Sequence, residues 1–185
     1  KLSRGLGDVY KRQEYIFFKV IFMLKPNKLA NNNFLSSLDI SKQEIFHILE
    51  LAKNFKNKNI NVELKNKVLG LIFDKSSTRT RVSFQVGMSR LGGSTIDLNP
   101  TTSQIGRGEP INDTARVLSR YCDVIAIRTF NHSDLEEYAK WSSVPVINAL
   151  TDLEHPCQAL ADFLTIKEEF LDFKDVVLTF IGDGN

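Results

Sequence analysis

From Met23 onward the chain alternates two kinds of apolar pattern. One recurs at helical spacing. In SKQEIFHILELAKNFKN (41–57), Ile45, Leu49, Ala52 and Phe55 fall on or near one face of a helix, and Ser41 with Glu44 has the spacing of a capping box. In VSFQVGMSRLGG (82–93), Phe84, Met88 and Leu91 recur at i, i+4 and i+7, and Gly92-Gly93 stops the helix. Further helices are predicted over 112–121, over 133–142 with Ser133 and Glu136 as a second capping box, and from HPCQALADFLTIKEEF, where Pro156 suits the first helical position. The other pattern is a short apolar run of strand length. It appears in VLGLIF (68–73), STIDL (94–98), DVIAI (123–127), VPVINAL (144–150) and VVLTFI (176–181). Strands alternating with helices imply an α/β fold, a parallel sheet flanked by helices on both faces.

The first 22 residues break this pattern. KLSRGLGDVYKRQ has no apolar periodicity and reads as translated adapter sequence, and Met23 reads as the natural start. YIFFKVIFML (15–24) is apolar but only ten residues long, with Lys19 inside it. A membrane span needs about 20 apolar residues, and no small-residue cleavage site follows for a signal peptide. Residues 1–22 are therefore expected to be a non-native or disordered leader. At 185 residues the chain is long enough for one well-buried domain, or one and a fraction.

With 42% hydrophobic and 25% charged residues, the composition is that of an ordinary globular protein. The net charge of +2 gives no strong basic field, so nucleic acid is not the expected partner. Cys122 and Cys157 are too far apart for a CxxC pattern, and with three scattered histidines they lack metal-ligand spacing. With no framework of bridges, a reducing, cytoplasmic setting is expected.

Candidate chemistry gathers where strands end. KSSTRTR (75–81) lies between the strand at 68–73 and the following helix; Arg128 follows the strand at 123–127; His155 and Gln158 open a helix after the strand at 144–150. In a parallel sheet these ends point the same way, toward the rim where such sheets bind ligands. Free N–H groups at a helix start suit a phosphate, and arginine offers planar, paired donors to its oxygens. The set calls for a small phosphorylated ligand with a second polar group. Each piece also has an ordinary reading. Ser77 and Thr78 alone would be caps, Arg128 surface charge and His155 a cap. Arg79 and Arg81 are two positions apart, so at most one faces the ligand, and Arg81 is expected to pair with a carboxylate. His47 and His132 are assigned no chemical role, and both cysteines are read as small packed residues. GDG (182–184) is only part of a dinucleotide loop.

Taken in order, STRTR, SQIGRGEPINDTARVLSRY, IRTF, HPCQALADFLTI and IGDGN resemble the aspartate/ornithine carbamoyltransferase family over about 34–185. STRTR and HP-x-Q mark the whole family, whereas SQIGRGE, the cysteine of HPCQ and the GDGN ending favour its ornithine branch. Glu154, before the histidine, departs from many relatives. The resemblance implies a carbamoyl-phosphate-binding domain over 23–170 and the start of a second, amino-acid-binding α/β domain over 171–185, where the chain stops.

The implied reaction moves the carbamoyl group of carbamoyl phosphate to the δ-amine of L-ornithine, giving L-citrulline and phosphate, as in arginine biosynthesis, without a metal or cofactor. By the same resemblance Ser77, Thr78, Arg79 and Thr80 hold the phosphate, and Arg128, His155 and Gln158, with Thr80, hold the carbamoyl end. Arg79, Arg128 and His155 carry the catalysis. Gln104 reaches the ligand of a neighbouring subunit in a homotrimer or higher homo-oligomer, and Asn185 touches the amino acid. No nucleic acid or membrane partner is implied. Three alternatives stay open. They are a carbamoyltransferase for aspartate, putrescine or acetylornithine, a module that binds carbamoyl phosphate without catalysis, and a structural fragment whose hydroxyls and arginines are caps and surface charges.

Overall fold

The computed structural model describes residues 32–57, 63–100, 103–170 and 173–182. Four parallel strands, β1 (Val68–Phe73), β2 (Ser94–Leu98), β3 (Val124–Arg128) and β4 (Val146–Leu150), form one sheet in the order β2-β1-β3-β4. Among the described residues five α-helices accompany them: α1 (Lys42–Lys56), α2 (Arg79–Arg90), α3 (Ile111–Leu118), α4 (His132–Trp141) and α5 (Pro156–Phe170). The α/β expectation is met.

β1, β3 and β4 form because their side chains are buried on both faces of the sheet, whereas β2, at the edge, is half-exposed and is held by its ladder to β1. Leu69, Leu71 and Phe73 pack in one cluster with Ile48, Leu49 and Ala52 of α1, Phe84 and Met88 of α2, and Leu160 and Leu164 of α5. Ile72, Ile125 and Ile127 pack on the opposite face with Ala115 and Leu118 of α3 and Leu135 and Tyr138 of α4. The alternation of a strand's side chains thus divides the helices into two layers. Each fully buried leucine or isoleucine contributes about 1.5–3 kcal/mol of apolar burial. Gly70 lets β1 pass close to Cys122, since a Cβ there would lie 3.0 Å from the Cys122 Sγ. Both cysteines are buried and free.

Local signals account for several boundaries. The Ser41 hydroxyl accepts from the Glu44 N–H while the Glu44 carboxylate accepts from the Ser41 N–H, so the predicted capping box starts α1. Gly92, at φ +77°, ends α2 in a conformation that costs glycine least.

Two expectations fail. Ser133 and Glu136 form no capping box; α4 begins one residue earlier with Asn131 as its cap, and the His132 N–H is taken by the Asp152 carboxylate from the loop after β4. Residues 176–181 form no strand. Val177, Leu178, Phe180 and Ile181 are exposed, without a ladder. A strand needs a partner for its backbone groups, and among the described residues none pairs with 176–181; the outer edge of β4 is met instead by Phe34, which donates to the Val146 carbonyl and accepts from the Asn148 N–H. The expected leader at 1–22, Asn185 and the last two residues of GDG lie outside the described residues.

Candidate functional site

The strand order sets the place. From β1 the chain runs through α2 to β2 on one side, while β3 lies on the other side and returns through α4 on the opposite face. The carboxyl ends of β1 and β3 therefore bound a topological switch point, where helices diverge and leave a crevice. Phe73 at the end of β1 is in register with Arg128 at the end of β3, and Arg128 is in register with Leu150 at the end of β4. The loops beyond are tied together. The Asp74 N–H donates to the Arg128 carbonyl (2.8 Å), the Thr129 N–H to the Leu150 carbonyl (3.1 Å), and the Asp152 N–H to the Phe130 carbonyl (3.0 Å).

The β1 loop delivers STRTR to this rim. Thr78 is the N-cap of α2, yet its side chain makes no capping hydrogen bond, so the ordinary reading of that hydroxyl as a cap fails. Ser77 is half-buried, Thr78 and Arg79 are exposed, and Thr80 is buried in the first turn. The two arginines separate as expected. Arg81 turns back to Asp97 of β2 (2.9 Å) and lies over the Phe73 ring.

Arg128 and His155 complete the cluster. The Arg128 Nε and the His155 Nδ1 are both buried with no hydrogen-bond partner, as are the Arg81 Nε and the Ser103 Oγ. Burial, and after it the charge of Arg79, lowers the pKa of Arg128. Burial, and after it Arg128, brings His155 down to about 4, so its imidazole is neutral at pH 7. Arg79, Arg128 and His155 thus lie within one electrostatic neighbourhood, and no carboxylate is among the groups that shift Arg128 or His155. A buried guanidinium N–H without an acceptor, beside an unpartnered imidazole nitrogen in a positive field, forms a place for an anion. The His155 carbonyl caps α5 by accepting from the Gln158 and Ala159 N–H groups, which leaves the ring for other work.

Other sequence-predicted residues stand differently. Gln158 donates its side-chain amide to Asp162 one turn on (2.8 Å). Gln104 caps the exposed 3-10 turn Ile105–Arg107, and its carbonyl accepts from Arg107 and Glu109 within that turn. The His132 Nδ1 hydrogen-bonds the Thr151 hydroxyl (2.9 Å), and His47 is exposed. Glu154 is desolvated, which raises its pKa, but hydrogen bonds from Ser36 and Ser37 and the charge of His132 outweigh that and lower it. Among the described residues, no group of three or more His, Cys, Asp or Glu side chains has an arrangement that could hold a metal ion, and no helix is long and apolar enough to cross a membrane. Sequence reading missed Asn148. Its signal was a polar residue inside the apolar run VPVINAL.

Residues 32–168 match the family model for the carbamoyl-P binding domain of aspartate/ornithine carbamoyltransferase. The chain belongs to that family. Among its relatives is an ornithine carbamoyltransferase of Prochlorococcus marinus subsp. pastoris, 85% identical over 163 residues, which make up 88% of this chain and 53% of the relative. The crystal structure of ornithine carbamoyltransferase from Gloeobacter violaceus is similar with a TM-score of 0.72 and 49% identity, covering 79% of this chain and 48% of that one. Aspartate transcarbamoylase from Trypanosoma cruzi in complex with carbamoyl phosphate is similar at the same TM-score of 0.72 with 32% identity, covering 78% and 48%. The chain spans about half the length of the curated relatives it matches.

Proposed function

We propose that this chain binds carbamoyl phosphate at the switch-point rim and belongs to an ornithine carbamoyltransferase, which transfers the carbamoyl group to the δ-amine of L-ornithine to give L-citrulline and phosphate. The observation that carries the reading is the pair of buried, unpartnered nitrogens, Arg128 Nε and His155 Nδ1, beside a helix start whose Thr78 hydroxyl is not used as a cap. Family membership and the 85% identical relative support it.

In this reading Ser77, Thr78, Arg79 and Thr80 take the phosphate, where the N–H groups and partial positive charge of the α2 start suit its oxygens. Arg128, His155 and Gln158, with Thr80, take the carbamoyl end. Gln104 serves a neighbouring subunit of a homo-oligomer, and Asn185 the amino acid. Residues 23–170 make up the carbamoyl-phosphate-binding domain, residues from 171 belong to the amino-acid-binding domain, and the enzyme works in the cytoplasm in arginine biosynthesis.

The chemistry follows from these groups. The ornithine amine has a lysine-like pKa of about 10.4 and must shed a proton before attacking the carbamoyl carbon. The N–C bond forms, negative charge gathers on the carbonyl oxygen, and as the C–O bond to phosphate breaks the attacking nitrogen's second proton passes to the departing phosphate. Arg128 stabilises that charge. A neutral His155 donates a hydrogen bond to the oxygen without giving up a proton, a role an imidazolium would perform only at the expense of a second buried charge. Arg79 and the helix start favour departure of the phosphate dianion.

Calorimetric titration of carbamoyl phosphate into the chain, with Arg79→Ala alongside, tests this. Saturable binding that Arg79→Ala abolishes is expected. A folded wild-type chain that binds no carbamoyl phosphate would sink the reading.

A further inference from the structure

Asn148 is the polar residue of β4, and it is completely buried. A primary amide in such a place is costly unless its donors and acceptor are used. All are used, and toward one end. The Asn148 Oδ1 accepts from the Leu150 N–H (2.9 Å). The Nδ2 donates to the Leu35 carbonyl (2.8 Å) and to the Glu154 carbonyl (3.3 Å), with the Thr151 hydroxyl at 3.5 Å. The backbone carbonyl of Asn148 accepts from the Cys157 thiol (3.1 Å). One residue therefore fastens the exit of β4, the residue before His155 and the first turn of α5 to the segment at 35.

Leu150 explains why such a clamp is needed. Its φ of +151° is one that residues with side chains rarely adopt. Backbone of this kind persists only where its surroundings over-determine it, and it gathers at functional sites. Here it lies where the β3–β4 register shifts, so that Arg128 pairs with Leu150. From that point the chain turns through 151–154 to present His155.

We infer that Asn148 is a positioning residue: its side-chain amide holds the Leu150 N–H and the Glu154 carbonyl, and so fixes the turn that aims the His155 ring at the carbamoyl end of the ligand. The inference rests on the reading of the rim as a carbamoyl phosphate site. It separates two ligands. Inorganic phosphate would use only the α2 start, whereas carbamoyl phosphate would also use His155.

The test is calorimetry of the chain and of Asn148→Asp and Asn148→Ser, with carbamoyl phosphate and inorganic phosphate as probes, together with an NMR titration of the His155 ring. Asn148→Asp keeps shape and acceptor but loses the donors. Both variants should weaken carbamoyl phosphate about tenfold more than phosphate, the factor carried by one hydrogen bond of roughly 1.4 kcal/mol. The His155 midpoint should rise toward the ordinary value of about 6.5 as the loosened turn admits water. Equal weakening of both ligands, or of neither, overturns the inference. If the wild-type chain binds no carbamoyl phosphate, the functional reading falls instead. The His155 midpoint then decides whether Asn148 positions that ring: movement in the variants supports it and an unmoved midpoint overturns it. Should neither variant fold, exchange of the wild-type Asn148 amide protons decides. Slow exchange supports the clamp, and exchange at the rate of free amide refutes it.

Discussion

Burial and, after it, the positive charge of Arg128 hold His155 neutral, with a pKa of about 4. This has a consequence for stability. A histidine whose folded pKa lies below its unfolded value of about 6.5 binds more protons when unfolded, so stability rises with pH between about 4 and 6.5 and is level above that window. The slope from this one group is at most roughly 1.4 kcal/mol per pH unit. Asp74 and Asp162, both raised by burial, act in the opposite sense as pH rises. The difference between the wild type and His155→Gln isolates the histidine. Thermal melts from pH 7 to pH 5 should show the wild type losing more stability than the variant, and parallel curves would refute a neutral, buried His155.

Arg79 is the residue on which phosphate binding should depend most. It is exposed at the first position of α2, and its charge reaches Arg128. In the complete enzyme Arg79→Ala is expected to lower turnover by about 10²–10³, or roughly 3–4 kcal/mol, as for other donors that stabilise developing charge. Steady-state citrulline formation measures it, and near-normal turnover would remove Arg79 from the site.

How far the sequence spoke depended on the range of the forces involved. The sheet and its rim were legible because apolar runs and helical spacing are local, and because parallel strands must place their carboxyl ends together. The cap of α1 was legible for the same reason, since Ser41 and Glu44 satisfy one another across three residues. The start of α4 was not. It is fixed by Asp152, twenty residues further on, which takes the His132 N–H. The run at 176–181 has strand composition, but a strand also needs a partner, and among the described residues it has none. Asn148 was visible as a letter, while its meaning depends on carbonyls at 35 and 154 that only the fold brings near.

The contrast between the two capping boxes is measurable. Ser41→Ala removes a hydroxyl that accepts from the Glu44 N–H, and should cost about 1 kcal/mol. Ser133 is exposed and caps nothing, so Ser133→Ala should stay within about 0.5 kcal/mol of the wild type. Urea unfolding followed by circular dichroism ranks the two, and equal losses would contradict the assigned helix starts.

Gly70 and Cys122 should be coupled. A Cβ on Gly70 would lie 3.0 Å from the Cys122 sulfur, closer than packed atoms settle. Gly70→Ala alone should therefore destabilise the chain by about 1 kcal/mol or more through overpacking. Cys122→Ala removes the sulfur and leaves a small gap. The double variant should be more stable than the sum of the single losses allows, and a double-mutant cycle reads the difference. Strict additivity would mean that the backbone, not Cys122, limits the space at Gly70.

Arg81 provides the counterpart to Arg79. Two positions along α2, it spends its terminal nitrogen on the Asp97 carboxylate (2.9 and 3.1 Å) and lies over the Phe73 ring (5.1 Å to the centroid), tying α2 to the ends of β1 and β2. The pair is partly exposed, which limits the ionic part to about 1 kcal/mol or less, and the ring contact adds about 0.5–1 kcal/mol. Asp97→Asn tests the ionic part without touching the helix. It should lower the melting temperature by a few degrees while leaving inorganic phosphate affinity within about twofold, because the charge removed serves β2 and not the rim. Arg79→Ala should show the reverse, with little change in melting and a large loss of affinity. If Asp97→Asn instead weakened phosphate as strongly as Arg79→Ala, the division of labour between the two arginines would be wrong, and Arg81 would have to be placed at the ligand.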